Sequence, residues 1–271
     1  MFLTRHQTAI GPRWALNGRY LPRNFTLGLL LELARTVALE LLAVLPSEGD
    51  ADSPRLAPIE PGQEVWAAGV TYTRSREARE GESSVADAYS RVYAAERPEL
   101  FFKAAGWRVV GPGGAIRVRR DSRWSVPEPE MVLVLNSSLE ILGYCAGDDV
   151  CSRDVEGENP LYLPQAKVYD GACSLGPGIA VAAAEELADL PISLTISRGG
   201  QVVFRGEAST AQLKRRLGEL AQYLGREISF PQGTFLMTGT GIVLPDSFTL
   251  TPGDVVEIAV GSLTLDNVVE G

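Results

Sequence analysis

Histidine is almost absent from this chain. Of its 271 residues one is His, three are Cys and three are Met. A zinc site built on imidazole and thiolate needs several such ligands at short spacing. Cys145, Cys151 and Cys173 form no such pattern, and His6 stands alone. The three thiols read as reduced, buried and unreactive, which predicts a cytoplasmic protein. Positive charge also runs short: 25 Lys and Arg against 34 Asp and Glu leave a net charge of −9. No broad basic surface is expected, and with it no nucleic-acid partner. A membrane-length apolar run is missing too. The most apolar stretch, Phe25 to Leu45, is interrupted by Glu32, Arg35, Thr36 and Glu40 at three-to-four spacing. That is the polar stripe of one packed helix, not a membrane span. Met1 to Trp14 holds no apolar signal core. No repeat and no low-complexity segment is present.

What the chain does have is an ordinary hydrophobic share, 45%, on a length that allows one or two domains with a sizeable core. Ser47 to Pro61 is polar and Pro-rich, so a boundary is placed there, between a small N-terminal region (1–60) and a main domain (61–271). Apolar runs predict strands over Val65–Val70, Glu99–Ala104, Met131–Leu135, Glu140–Ala146, Ile179–Ala184, Ile192–Ser197, Gln201–Arg205, Thr234–Thr238, Val255–Val260 and Leu263–Leu265. Gly199-Gly200 reads as a hairpin turn. Helical spacing of Val85, Ala88, Tyr89, Val92 and Tyr93 predicts a helix over Ser84–Arg97. A second helix carries Leu213, Leu217, Leu220 and Leu224, capped by Ser209 or Thr210 and closed by Gly225. Gly81 to Ser83 reads as a loop, either plain surface or closing over a site.

The stretch from Arg123 to Pro177 concentrates the chemistry. In a strand, residues two apart share a side, so Glu128 and Glu130 present two carboxylates together before the apolar run that starts at Met131. Pro127 and Pro129 cannot donate ladder hydrogen bonds, which marks a strand end. A hairpin through Asn136–Ser138 returns the chain to Asp149, beside the glutamates. Three carboxylates in one place repel unless a cation sits among them. An oxygen-only set suits a hard ion, Mg²⁺ first, with Mn²⁺ or Ca²⁺ as substitutes. On spacing alone, solvated surface acids remain the competing reading, and Lys167 reads as a surface lysine.

Ordered motifs change that balance. Glu128-Pro129-Glu130, the segment Asp148–Asp154 (DDVCSRD), Lys167, Ser174-Leu175-Gly176-Pro177, Thr238–Gly241 (TGTG) and Leu250–Glu257 (LTPGDVVE) together resemble the fumarylacetoacetate hydrolase family. The likeness runs from about Gly69 to Val269. Glu158–Lys167 and Glu96–Ala104 resemble the family's sugar-acid dehydratase branch. One departure is informative. Where relatives carry G-x-N-Y-x-x-H, Gly69 and Tyr72 match, but Thr71 replaces the Asn and Ser75 the His. Hydrolytic members use that His with a Glu to activate water.

The resemblance implies an α+β, β-rich fold, a mixed β-roll behind a small N-terminal domain, assembled as a homodimer or higher homo-oligomer. It implies Mg²⁺ held by Glu128, Glu130 and Asp149, and catalytic roles for Lys167 and Glu99. A substrate site would draw on Arg74, Ser75, Lys103, Thr238, Gly239 and Thr240. The implied activity is loss of water from a 2-keto-3-deoxy pentonate, giving 2-oxoglutarate semialdehyde. The competing readings are an acylpyruvate hydrolase or oxaloacetate decarboxylase acting on another small 2-oxo acid through the same chelate, or a relative that keeps the fold but binds a ligand or partner only.

Overall fold

A computed structural model describes residues 1–82 and 86–271. Strands β1 (Phe2–Thr8), β2 (Gly11–Leu16) and β3 (Arg19–Tyr20) come first, then helices α1 (Leu27–Leu31) and α2 (Arg35–Val44). Next come β4 (Arg55–Leu56), β5 (Glu64–Gly69), α3 (Thr73–Glu82), α4 (Ala86–Ala94), β6 (Glu99–Ala105), β7 (Ala115–Arg117) and β8 (Ser125–Val126). The central hairpin is β9 (Pro129–Leu135) with β10 (Ile141–Asp149); β11 (Cys151–Ser152), α5 (Arg153–Glu158) and α6 (Leu163–Lys167) follow. The chain closes with β12 (Cys173–Val181), β13 (Pro191–Arg198), β14 (Gln201–Ser209), α7 (Leu217–Leu224), β15 (Thr234–Met237), β16 (Val255–Val260) and β17 (Leu263–Glu270).

Two sheets carry the fold. The larger runs β3-β2-β1-β12-β10-β9-β15-β5-β6, with β4 beside β1; the smaller runs β14-β13-β16-β17-β7. The apolar run of β9 is continuous because both of its faces are buried. Met131, Leu133 and Leu135 enter the core shared with β13, β16 and β17, while Val132 and Val134 enter a second core with Leu3, Leu27, Leu31, Leu42 and Phe235. The N-terminal residues thus share a core and a sheet with the rest, β1 pairing with β12 at Phe2–Ala180. At the β13–β14 turn Gly199 and Gly200 both have positive φ, +58° and +78°, which only glycine adopts freely.

Several expectations change. The single helix over Phe25–Leu45 is two helices. The turn after β9 breaks it: Asn136 Nδ2 donates to Leu33 O, Ser137 N to Leu31 O, and Glu140 accepts from Arg35 N at the start of α2. Those groups take over partners that a continuous helix would have used. Leu213 is not helical. Ser209 caps a short 3₁₀ turn at Thr210–Gln212, and α7 begins only at Leu217. Gly81 and Glu82 end α3 instead of forming a loop, and the expected helix over Ser84–Arg97 is observed as Ala86–Ala94. Ser83, Ser84 and Val85, with the Ala88 side chain, lie outside the described residues. The Ile179 strand starts six residues early, at Cys173, and ends at Val181.

Candidate active site

Five strand ends meet at one edge of the large sheet. β10–β9 and β9–β15 are antiparallel, β15–β5 is parallel and β5–β6 antiparallel. The start of β9, the ends of β10, β15 and β5, and the start of β6 therefore lie together. A cavity of about 380 Å³, mouth included, opens there between Glu128, Glu130, Asp149, Lys167, Glu99 and Gly239.

The backbone is tied where the acids project. Glu128 sits between two prolines, and its own N–H is taken by Asp148 Oδ1 at 2.9 Å. Its carbonyl accepts from Asp149 N at 3.0 Å. Carboxylate oxygens of Glu128, Glu130 and Asp149 all lie within 4.8 Å of one another, and none of the three residues is more than 4% exposed.

The cations are distributed unevenly over these acids. Lys167 Nζ is 3.0 Å from both Glu128 Oε2 and Asp149 Oδ2. Lys103 Nζ is 2.5 Å from Asp149 Oδ1 and also donates to the carbonyls of Lys167 and Val150. Arg153 lies 3.4 Å from Glu128 Oε1. Among the described residues no cation pairs with Glu130, which accepts one N–H from Gly239 at 2.5 Å. The titration of each group follows. Burial, then Asp149 and Glu128, push the Glu130 carboxyl well above the usual range. Burial works against ionised Asp149, but Lys103 and Lys167 hold it below the usual range. Burial likewise opposes the Lys167 ammonium, yet Asp149, Cys151, Glu128 and Glu156 hold it well above an ordinary lysine.

This donor set fits a hard divalent ion. Three carboxylates converge with oxygen atoms only, and one of them, Glu130, is sealed from water with no ion-pair partner among the described residues; a divalent cation would supply the missing charge. Glu128, Cys151 and Glu156 form a second close group. There the Cys151 sulfur lies 2.9 Å from Glu156 Oε2 as its hydrogen-bond donor, and a soft sulfur suits a hard divalent ion less well than a set of oxygens.

Of the other residues singled out in the sequence, Glu99, Ser75, Gly239 and Thr240 line the cavity. A Cβ at Gly69 would overlap the Glu99 carboxylate, so glycine there leaves room for it. Gly239, at φ +91°, packs against Thr71 and brings its N–H close to Glu130. Arg74, Lys103 and Thr238 are not among the described residues that line it. Arg74 is exposed on α3. Lys103 is 1% exposed and already bonded three ways. The Thr238 hydroxyl donates to Met131 O at 2.8 Å. Arg153 and Glu156 were missed as site residues. Arg153 stands inside the DDVCSRD motif, which was the available signal; nothing in the sequence singles out Glu156. His6 bonds Ser53 O and Thr4 Oγ1 on β1 and does not line the cavity.

Comparison with known proteins places the chain in a family. The sequence profile for the fumarylacetoacetate (FAA) hydrolase C-terminal domain matches residues 64–270. A probable 2-keto-3-deoxyxylonate dehydratase of Haloferax volcanii is 45% identical over 87% of this chain and 83% of its own. The 2-dehydro-3-deoxy-D-arabinonate dehydratase of Saccharolobus solfataricus is 46% identical over 76% of this chain and 70% of its own. A solved 2-keto-3-deoxy-D-arabinonate dehydratase, complexed with magnesium and 2,5-dioxopentanoate, superposes with a TM-score of 0.83. It is 35% identical, over 100% of this chain and 99% of that one. With the profile covering most of its length and such relatives across it, the chain belongs to the fumarylacetoacetate hydrolase family.

Proposed function

We propose that this chain is a hydro-lyase that removes water from 2-dehydro-3-deoxy-D-arabinonate, or a closely related 2-keto-3-deoxy pentonate, to give 2-oxoglutarate semialdehyde. The observation that carries the reading is the buried triad Glu128, Glu130 and Asp149 sharing one cavity with Lys167 and Glu99. Glu128, Glu130 and Asp149 are the residues that hold Mg²⁺. When bound, the ion supplies Lewis-acid polarisation of the substrate's 2-keto group.

The protein groups then divide the work. Glu99 is the proton-transfer group: it accepts the C3 proton and returns one to the C4 hydroxyl as that group departs. The C4–O bond breaks, water leaves, and rearrangement of the enol yields the aldehyde. Lys167, held as an ammonium between Glu128 and Asp149, faces the negative charge that develops on the substrate. The Gly239 N–H fixes the Glu130 carboxylate, while Ser75 and Thr240 contribute the hydroxyl-bearing wall. Lys103 positions Asp149 and Lys167 from behind. Hydrolysis of an acylpyruvate is disfavoured because no imidazole lines the cavity among the described residues; Ser75 occupies the corresponding position and its hydroxyl donates to Tyr72 O.

A reducing, cytoplasmic setting belongs to the same reading and is supported by three free, buried cysteines. So does a homodimer. Val202, Val255 and Val268 are exposed and lie in one row across β14, β13, β16 and β17 through Ser197, a surface suited to a second copy. The boundary near residue 60 is kept as a sequence division, with β1 pairing across it.

The test is direct. Purified protein with Mg²⁺ is given a 2-keto-3-deoxy pentonate and, separately, an acylpyruvate, with products followed by mass. The expected result is a product lighter by one water from the pentonate alone. Turnover of only the acylpyruvate contradicts the proposal.

A further inference from the structure

A second, larger cavity adjoins the first. It measures about 860 Å³, mouth included. Its walls come from α4 (Tyr89, Val92), from Pro98 just before β6 and Leu100 within it, from Pro160 between α5 and α6, and from Leu163 at the start of α6. Glu99, Glu156 and Leu163 line both cavities, so whatever passes between them passes the proton-transfer group. The catalytic cavity is polar at every working position; the second is walled by hydrocarbon with the two acids at the shared side.

The proposed substrate makes little use of this space. A pentonate gripped through C1 and C2 has one carbon beyond C4, a hydroxymethyl group. That group occupies about the 30 Å³ share of a single water. The remaining apolar volume suits a group that gains by leaving water. We infer that the second cavity is a subsite for the part of the substrate beyond C4, and that the enzyme also dehydrates 4-hydroxy-2-oxo acids carrying a straight alkyl chain there. This rests on the function proposed above.

The step balances without a co-reactant. The C3–H bond gives its proton to Glu99, the electrons of that bond form a C3=C4 double bond, and the C4–O bond breaks with its pair to the oxygen. The oxygen leaves as water with a proton from Glu99. Nothing is oxidised or reduced. An alkyl chain has no C5 hydroxyl, so no enol to aldehyde rearrangement follows. The product is a 2-oxo-3-enoate, whose conjugation gives an ultraviolet band that the substrate lacks.

The experiment uses the Mg²⁺-loaded enzyme with 4-hydroxy-2-oxo acids of five to eight carbons, and a 2-keto-3-deoxy pentonate in parallel. Product mass and enoate absorbance are recorded. Each further methylene buried raises kcat/KM about fourfold. Val92→Trp, which fills the subsite from α4, lowers kcat/KM for the eight-carbon acid about tenfold or more and lowers it far less for the pentonate, which reaches into the subsite with one carbon only. The length series needs no variant, so it stands if Val92→Trp does not fold. Inert alkyl acids, or rates indifferent to length, with the pentonate turned over, overturn the subsite alone. Failure on the pentonate alone overturns the proposed function and leaves the subsite standing.

Discussion

Lys103 and Asp149 form an ion pair of 2.5 Å between two side chains sealed from solvent. The lysine comes from β6 and the aspartate from the end of β10, and the same ammonium also holds the carbonyls of Lys167 and Val150. One cation therefore fixes both a proposed metal ligand and the chain segment that carries Lys167. Lys103→Met leaves a buried carboxylate and two buried carbonyls short of a donor. It is expected to cost about 3–5 kcal/mol in chemical unfolding and to weaken Mg²⁺ binding in calorimetry. A loss below about 1 kcal/mol removes Lys103 from this account.

Gly69 sets the position of Glu99. The two face each other across β5 and β6, and a methyl group at residue 69 collides with the Glu99 carboxylate. Gly69 needs no unusual φ, so Gly69→Ala strains little else. The variant is expected to lose about a hundredfold in kcat, the scale of a misplaced proton-transfer group, while Mg²⁺ affinity is unchanged. Steady-state kinetics beside a Mg²⁺ titration separates the two; equal loss of metal binding shows a general disruption instead.

Asp148 gives a pH-dependent stability. Burial pushes its carboxyl up to about 7, against the Glu128 N–H and Lys103, which pull it down. Between about pH 4 and 7 the unfolded chain has released this proton and the native chain has not. Native stability from this group therefore falls as pH rises through that window and levels off above it. Asp148→Asn keeps an oxygen to accept the Glu128 N–H and does not titrate. In metal-free protein the variant is expected to gain on the wild type by roughly 1.4 kcal/mol per pH unit at most across the window. Denaturant unfolding at several pH values checks this; a difference independent of pH contradicts it.

Arg215 anchors the helix that walls the larger cavity. Its guanidinium donates to Val92 O, Ala95 O and Glu96 O at the end of α4 and pairs with Glu219. These are the carbonyls that a helix end leaves open. Arg215→Ala is expected to raise amide exchange over Ala94–Arg97 and to cost about 1–3 kcal/mol. Unchanged exchange there shows that α4 is held by its packing alone.

Legibility in the sequence followed the range of the interactions. Glu128, Glu130 and Asp149 were readable because two-residue alternation and one hairpin are local rules, and β9 and β10 obey them. The bonds that hold Lys103 were not legible, because its partners sit 46 to 64 residues away and nothing near it in sequence announces them. The break between α1 and α2 is made by Asn136, Ser137 and Glu140, over a hundred residues downstream. The short strands β1 to β3 lack a long apolar run, and their pairing with β12 is a tertiary fact. Glu156 enters the site through a turn of α5 that composition does not betray.

A Mg²⁺ titration by calorimetry of wild type and Glu130→Gln, both confirmed folded, tests the convergence of the three carboxylates most directly. One site per chain is expected in the wild type, and its loss, or a weakening of about a hundredfold, in the variant. Full-affinity binding to Glu130→Gln contradicts it.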